Sequence, residues 1–399
     1  MKNINLNKIS KWVPFVYSVI LTLLGIGFWL IGECFLDFSF SSEIPQYLFG
    51  FGILFALFLK GPKIINFLVR NSGWTFVAFT IMSAYLIIFN YPNCGDKILR
   101  EYFLGACLLI IPILLYRMKD SGYGGMIMAT MITVALAFIA YKMSGFFSAL
   151  VLILIAITLI FYCEHKKWFG EKSIFYSILF WFSFLAVGIF IASHILFSDD
   201  LFWILVYKIK AFLNPETNFT GDSYIYTLVR SLISESVLFG QGGMAQGLGS
   251  TSDHPYFSYY FLSYFSNSFG LWVLIVVPLL FVGFFYVCFR KIKNLPFLGK
   301  LFSVSILFYI ILQTLSFFIS NLGYGFFINT SLPFVSEYNL WINMTLVGFL
   351  LAVQKTEQEF KAIEKMSSFD CDFVTKLWIL LMGRVTGTEF IEEDFDDLD

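Results

Sequence analysis

Long apolar runs separated by short polar segments are the main pattern along this chain. A transmembrane α-helix needs about 20 predominantly apolar residues to cross the hydrocarbon core of a bilayer. Ten runs approach or exceed that length, and they cover residues 13–33, 47–69, 74–91, 101–117, 123–141, 144–163, 174–196, 259–287, 299–322 and 335–353. The pattern therefore predicts an all-α polytopic membrane protein with about ten transmembrane helices.

Two polar stretches stand outside this pattern. A long loop, residues 197–258, separates the seventh and eighth runs, and a tail, residues 355–399, follows the tenth. The tail becomes strongly acidic from Glu389 to Asp399, and such a charge run is typical of a solvated terminus. We therefore expect one transmembrane domain, residues 1–354, followed by a polar tail.

The composition supports a lipid-facing protein. The chain is 58% hydrophobic and only 13% charged, whereas a soluble domain carries about 25% charged residues. So few charges cannot cover a surface that faces water. The net charge of −1 gives no reason to expect nucleic-acid binding, and the cysteines and histidines lack the spacing of a metal site.

The distribution of Lys and Arg predicts the orientation. Cytoplasmic segments of membrane proteins carry an excess of these residues. Here they are concentrated at the N-terminus and in alternate loops, as Lys2, Lys8, Lys11, Lys60, Lys63, Arg70, Arg117, Lys119, Lys166, Lys167, Lys172, Arg290, Lys291, Lys293 and Lys300. With ten spans, both termini are then cytoplasmic and the loop 197–258 lies on the outer side.

The outer loop holds the candidate chemistry. Lys208, Lys210 and Arg230 oppose the charge rule there, and an anionic head group such as the pyrophosphate of a lipid-linked sugar would offset them. A predicted helix at 226–240 leads into the glycine-rich segment 240–249, whose backbone N–H groups suit phosphate. The alternatives are that the cations reach ordinary lipid phosphates and that the glycines form only a flexible turn.

Three ordered stretches resemble the SEDS family (shape, elongation, division and sporulation proteins). Its loop motifs R-x-x-A-F-L-x-P, G-x-G-Y-Q and G-x-G correspond to Lys208–Pro215, Gly221–Tyr226 and Phe239–Gly242. The motif H-T-D-F-I-F-A-x-x-x-E-E-x-G corresponds to FSYYFLSYFSNSFG, ending on Gly270, and L-P-F-x-S-Y-G-G-S-S corresponds to LPFVSEYNLW at 332–341. The resemblance is sharp over residues 205–355, and Gln313 also matches a Gln of the family's ninth span.

The resemblance implies a function in bacterial cell-wall synthesis. SEDS proteins are multi-pass proteins of the plasma (inner) membrane that polymerise lipid II, with undecaprenyl pyrophosphate as the leaving group, beside a class B penicillin-binding protein. They act in cell shape, division or sporulation. Substrate-binding roles would then fall on Lys208, Lys210, Arg230, Gly240, Gly242, His254, Tyr259, Pro333 and Ser336. No cofactor is expected, and a divalent cation would enter only with the lipid pyrophosphate.

The chain departs from the family where the family carries its acids. Tyr259 occupies the position of the family's Asp, and a tyrosine with an ordinary pKa of about 10 is a poor base at neutral pH. Asn267 and Ser268 replace the two Glu residues, and Tyr338 and Asn339 replace the glycines of the last motif. Either a substitute carboxylate takes the catalytic role or the chain has lost catalysis.

Asp253, next to His254, and Glu337 are the candidate catalytic bases, with Asp222 and Glu235 as weaker alternatives. The base would take a proton from the acceptor sugar hydroxyl as that oxygen attacks the donor's anomeric carbon. Cations would stabilise the departing pyrophosphate.

Several functions stay open at this point. The chain is a divergent polymerase, a catalytically degenerate lipid-II-binding scaffold, a flippase for lipid-linked precursors, or an O-antigen-type polysaccharide polymerase. The last class tends to use Arg and His in its outer loop, and here the loop offers one of each. The apolar runs carry few charges, which argues against ion-coupled transport.

Overall fold

The computed structural model describes residues 12–36, 44–90, 97–119, 122–144, 146–170, 178, 181, 222–240, 257–324, 332–335 and 337–355. Over these residues the helices, numbered in chain order, are α1 (Val13–Leu36), α2 (Ile44–Arg70), α3 (Ser72–Asn90), α4 (Lys97–Arg117), α5 (Gly122–Ser144), α6 (Phe146–His165), α7 (Asp222–Ser234), α8 (Phe257–Phe269), α9 (Val273–Ile292), α10 (Phe297–Ile319) and α11 (Glu337–Lys355). A π-turn, Ser320–Tyr324, follows α10.

The helices confirm an all-α polytopic membrane protein. Within the described ranges, six segments are long and apolar enough to cross a bilayer: Val13–Ile31, Ile44–Arg70, Gly122–Ala140, Ser148–His165, Val273–Ile292 and Phe297–Tyr324. Shorter apolar helices cover Phe103–Arg117 and Leu340–Gln354. The predicted span 174–196, apart from residues 178 and 181, and the tail beyond residue 355 lie outside the described residues.

The span predicted over 259–287 begins later than the apolar run does. The run divides into α8 and α9, because Gly270 between them has a φ of +112°. Glycine adopts this left-handed backbone without the steric penalty of a side chain. The chain therefore leaves the helical path there, and α9 alone is long and apolar enough to span.

The chain forms two compact units. Unit 1 comprises Met1–Ala56, Gly188–Lys293 and Leu307–Leu351, and unit 2 comprises Leu57–Val187, Asn294–Ile306 and Ala352–Asp399. In unit 2 the helices α4, α5 and α6 pack on one another. Arg117 at the end of α4 donates to Val69 O at 2.7 Å and to Ser72 Oγ at 3.0 Å, which ties α4 to the α2–α3 turn.

A cluster of aromatic rings packs together in unit 2. Phe297 lies 4.2 Å from Trp168 and stacks at 5.1 Å on Tyr162, measured between ring centroids. The Trp168 ring also contacts Tyr116 and receives the ammonium group of Lys119 at 5.7 Å. Rings with a nearby cation are typical of the level of a membrane–water interface.

A buried non-helical segment, Leu332–Val335, enters the core of unit 1 just before α11. Phe334 has a φ of +71°, and its backbone lies so close to α1 that a Cβ on Gly25 would come within 2.5 Å of Phe334 O. The Val335 carbonyl accepts hydrogen bonds from Trp29 Nε1 and from the Tyr47 hydroxyl, the latter at 2.6 Å. Irregular backbone at membrane depth is tolerated where protein groups satisfy it in this way.

Candidate functional site

The described part of the predicted outer loop forms a compact cluster in unit 1. The helix α7 packs on α8 and on the π-turn Ser320–Tyr324, and α8 also packs on that turn. We call this arrangement the α7 cluster. The predicted loop helix at 226–240 is thereby confirmed, although it begins earlier, at Asp222, and ends at Ser234.

The helix α7 forms because its apolar residues recur at helical spacing. Tyr226, Val229 and Leu232 are buried on one face, and a stripe three residues apart is typical of a helix that packs by one side. Beyond the helix end, Ser236 Oγ donates to Leu232 O at 2.6 Å. This bond satisfies a carbonyl of the last turn, which has no partner within the helix.

Arg230 projects from α7 onto the π-turn. Its Nε donates to Gly323 O at 3.1 Å, and its guanidinium carbon lies 4.7 Å from the centre of the Tyr324 ring. Gly323 has a φ of +77°, and a Cβ there would lie 2.5 Å from Arg230 Cγ and 3.3 Å from Tyr226 O. The close approach of helix and turn therefore depends on glycine at position 323.

A buried polar pair joins α8 to the same π-turn. Ser263 and Asn321 are both fully buried. The Ser263 backbone N–H donates to Asn321 Oδ1 at 3.1 Å, and Ser263 Oγ donates to Asn321 O at 2.7 Å. Asn321 Nδ2 donates in turn to Phe317 O at 3.0 Å. These bonds satisfy the backbone where α10 stops being helical, which buried polar groups require.

Replacing Asn321 with alanine is expected to loosen the α7 cluster. The side-chain amide would no longer accept from Ser263 or donate to Phe317 O, and leaving buried polar groups without such partners lowers the free energy of unfolding by about 1–3 kcal/mol. Thermal unfolding of the detergent-purified protein measures the change. The control is Thr345→Ala, because Thr345 is half-exposed and its hydroxyl donates only to Trp341 O within its own helix. Equal melting temperatures for the two variants would contradict a role of Asn321 in holding α8.

Asn267 stands where the resemblance has an acid, and its amide is structural. Its Nδ2 donates to Leu232 O at 3.0 Å, and the side chain is buried. The bond joins α8 to the end of α7. An amide can donate this bond and an ionised carboxylate cannot, which accounts for Asn rather than Glu at the position.

Two glycines allow the chain to cross itself beside α7. Gly240 and Gly270 have φ values of +76° and +112°. A Cβ on Gly240 would collide with Ser268 O, and one on Gly270 would collide with Leu238 O. Across the contact, Leu271 N donates to Val237 O at 3.1 Å. The N–H of Gly240 itself donates to Val237 O at 3.3 Å, so it is directed into the turn.

The predicted site residues fall into three groups. Arg230 and Gly240 lie within or beside the α7 cluster, and Pro333 is buried in the Leu332–Val335 turn. Tyr259 and Glu337 lie in α8 and α11, and their side chains are outside the described part of the chain, as is that of Asp222. The positions outside the described residues altogether are Lys208, Lys210, Gly242, Asp253, His254 and Ser336. Their roles stay predictions.

Two further candidates have defined surroundings. Glu235 is exposed and accepts a hydrogen bond from Ser231 Oγ at 2.8 Å. Gln313 is buried in α10. Sequence reasoning missed Ser263, Asn321 and Gly323 as parts of this cluster. The polar interruption Ser320-Asn-Leu-Gly-Tyr324 at the end of an apolar run was a signal that could have indicated them.

The comparisons with known proteins bear on the fold. No family model and no curated protein sequence matches this chain. The chain is similar, with a TM-score of 0.63 and 13% sequence identity, to a chain from a solved peptidoglycan synthase complex described as coordinating polymerization and crosslinking. The match covers 87% of this chain and 98% of the other. At this identity the likeness shows a shared fold.

Proposed function

We propose that this protein acts in bacterial peptidoglycan synthesis and binds lipid II at the outer face of the plasma membrane. The observation that carries the proposal is the fold shared over 87% of the chain with a component of a peptidoglycan synthase complex. The ordered sequence motifs support it independently, because the segments Lys208–Pro215, in the predicted outer loop, and Leu332–Trp341, at the start of α11, resemble those of polymerases of lipid-linked sugars.

The α7 cluster supplies the binding group for the lipid pyrophosphate in this proposal. Arg230 is held by Gly323 O through Nε, so its two terminal amino groups can point at a phosphate oxygen. Planar guanidinium groups suit such bidentate contacts. Lys208 and Lys210 from the same loop add positive charge, and Gly242 rather than Gly240 offers a backbone N–H, since that of Gly240 donates to Val237 O.

The proposed activity is glycosyl transfer with Asp253 as the general base. Its carboxylate takes the proton of the acceptor hydroxyl as the new glycosidic bond forms and the bond to pyrophosphate breaks. Glu337, at the start of α11, is the second candidate for this role. A class B penicillin-binding protein is the proposed partner that crosslinks the strands.

A second candidate function is a lipid-II-binding scaffold without catalysis. It is favoured by a specific observation: the Asn267 amide donates to Leu232 O and joins α8 to α7. A position where the resemblance expects an acid thus serves packing here. Tyr259 in place of the family's Asp points in the same direction. The two functions share lipid II binding and differ in strand formation.

Strand formation distinguishes the two functions. The purified protein is incubated with labelled lipid II, alone and with a class B penicillin-binding protein, as wild type, Asp253→Asn and Glu337→Gln. Loss of a general base lowers the rate by about 100-fold or more, so we expect strands from the wild type and none from Asp253→Asn. Asp199→Asn, in the same loop, is the matched control. No strands from any sample, with lipid II still bound, would establish the scaffold.

Lipid II binding tests the role of Arg230. A hydrogen bond to a charged group is worth about 1.5–3 kcal/mol, so Arg230→Ala is expected to weaken binding roughly tenfold or more, and Arg230→Lys less. Gly323→Ala retains the charge but displaces the side chain, since its Cβ would lie 2.5 Å from Arg230 Cγ. Wild-type affinity in Arg230→Ala would overturn the assignment.

A further inference from the structure

Three consecutive apolar side chains project from the turn after α7. The exposed fractions of Val237, Leu238 and Phe239 are 50%, 55% and 81%. We call these residues the apolar tip. A run of large apolar side chains open to water is unfavourable, and such surfaces usually mark contact with a partner or a membrane.

The tip is held in place by its own backbone. Gly240 and Gly270 adopt left-handed conformations where the two segments cross, and Leu271 N donates to Val237 O at 3.1 Å. The tip therefore projects from a defined position, beside the residues that lead into α9. The backbone conformation of this turn therefore keeps the three side chains exposed.

The surface beside the tip is already apolar and belongs to a membrane span. Trp272 is 43% exposed, with its indole N–H donated to Phe269 O at 2.7 Å. Along α9, Ile275, Val276 and Leu279 are exposed, as lipid-facing residues of a span are. A tryptophan whose N–H is hydrogen-bonded and whose ring is exposed is characteristic of the membrane–water boundary.

We propose that the apolar tip inserts into the bilayer at the boundary between head groups and acyl chains, next to the start of α9. Phospholipid acyl chains are the occupant that this position favours, because the tip adjoins the apolar strip that α9 presents to lipid through Trp272. The tip seats the end of α7 on the membrane surface. This inference is independent of the proposed function, since it requires only that α9 spans the bilayer.

Site-specific fluorescence in nanodiscs tests the insertion. An environment-sensitive probe is attached to the protein at Phe239→Cys. Ser234→Cys, exposed on α7, is the aqueous reference, and Leu279→Cys, exposed on α9, is the lipid reference. All three probes are placed in a background in which Cys34, Cys94 and Cys371 are replaced by serine. That background without a probe site is the labelling blank, because its remaining cysteines, Cys107, Cys163 and Cys288, are buried. Quenching is measured with iodide in the buffer and with doxyl-labelled phosphatidylcholine in the bilayer.

We expect the probe at position 239 to emit at shorter wavelength than at 234 and to be quenched by doxyl lipid as at 279, with several-fold weaker iodide quenching than at 234. Quenching by iodide alone would overturn the proposal. Protection from both quenchers would also overturn it, because it would indicate contact with protein such as a second copy. A melting temperature equal to wild type verifies that the labelled variant is folded.

Discussion

Replacing Gly270 with alanine is expected to destabilise unit 1 strongly. A residue other than glycine at a φ of +112° carries backbone strain of about 1–3 kcal/mol. The added Cβ would also collide with Leu238 O and would lie 2.6 Å from Gly240 N, and overpacking of this kind lowers the free energy of unfolding by about 1–3 kcal/mol more. Both obstacles are backbone atoms, so no side-chain rotation relieves them.

The measurement for Gly270→Ala is thermal unfolding of the detergent-purified protein, followed by tryptophan fluorescence and by size-exclusion chromatography. The control is Gly52→Ala, because a Cβ on Gly52 in α2 meets nothing within 4 Å. That variant should be as stable as wild type or slightly more so, since alanine favours helices. Equal melting temperatures for the two variants would show that the crossing at Gly270 is not required.

Replacing Phe334 with alanine is expected to have an effect of similar or greater size. Its side chain is fully buried, and its ring lies 5.8 Å from that of Phe284 and 6.3 Å from that of Phe281. Truncating a buried phenylalanine lowers the free energy of unfolding by about 3–5 kcal/mol, because a cavity replaces the ring. The unit would lose the packing between α9 and the segment that precedes α11.

The backbone of Phe334 provides a sharper test. At a φ of +71°, any residue other than glycine is strained by roughly 1–2 kcal/mol. We therefore expect Phe334→Gly to unfold at a higher temperature than Phe334→Ala, although both lie below wild type. Phe289→Ala, at an exposed position of α9, is the size-matched control with little expected change. A glycine variant less stable than the alanine variant would contradict the strain.

Much of the fold was predictable because membrane helices are specified locally. Each apolar run had to satisfy its own backbone hydrogen bonds in lipid, and run length alone therefore indicated the helices from α1 to α6 and α10. The start of the span within the run 259–287 was not predictable in this way. The residues of this run stay apolar across Gly270, and hydropathy does not record the change of φ that divides α8 from α9.

The candidate site was predictable only in part. Arg230 was identified because Lys and Arg are uncommon in loops on the outer side. In the structure its Nε donates to Gly323 O. That partner lies 93 residues away in the chain. Asn321 and Ser263 were missed because each is an ordinary polar residue until tertiary packing buries both together, 58 residues apart.

The sequence by itself determined that this protein is helical and crosses a membrane, because the length and apolarity of a run depend only on neighbouring residues. Only the tertiary structure decided which polar and glycine residues matter. The backbone of Leu238 leaves no room for a side chain at Gly270, and Ser263 hydrogen-bonds to Asn321. The ring of Phe334 packs against rings on α9. These contacts join segments distant in the chain, and no local pattern records the space or the hydrogen-bond partners that such segments leave for each other.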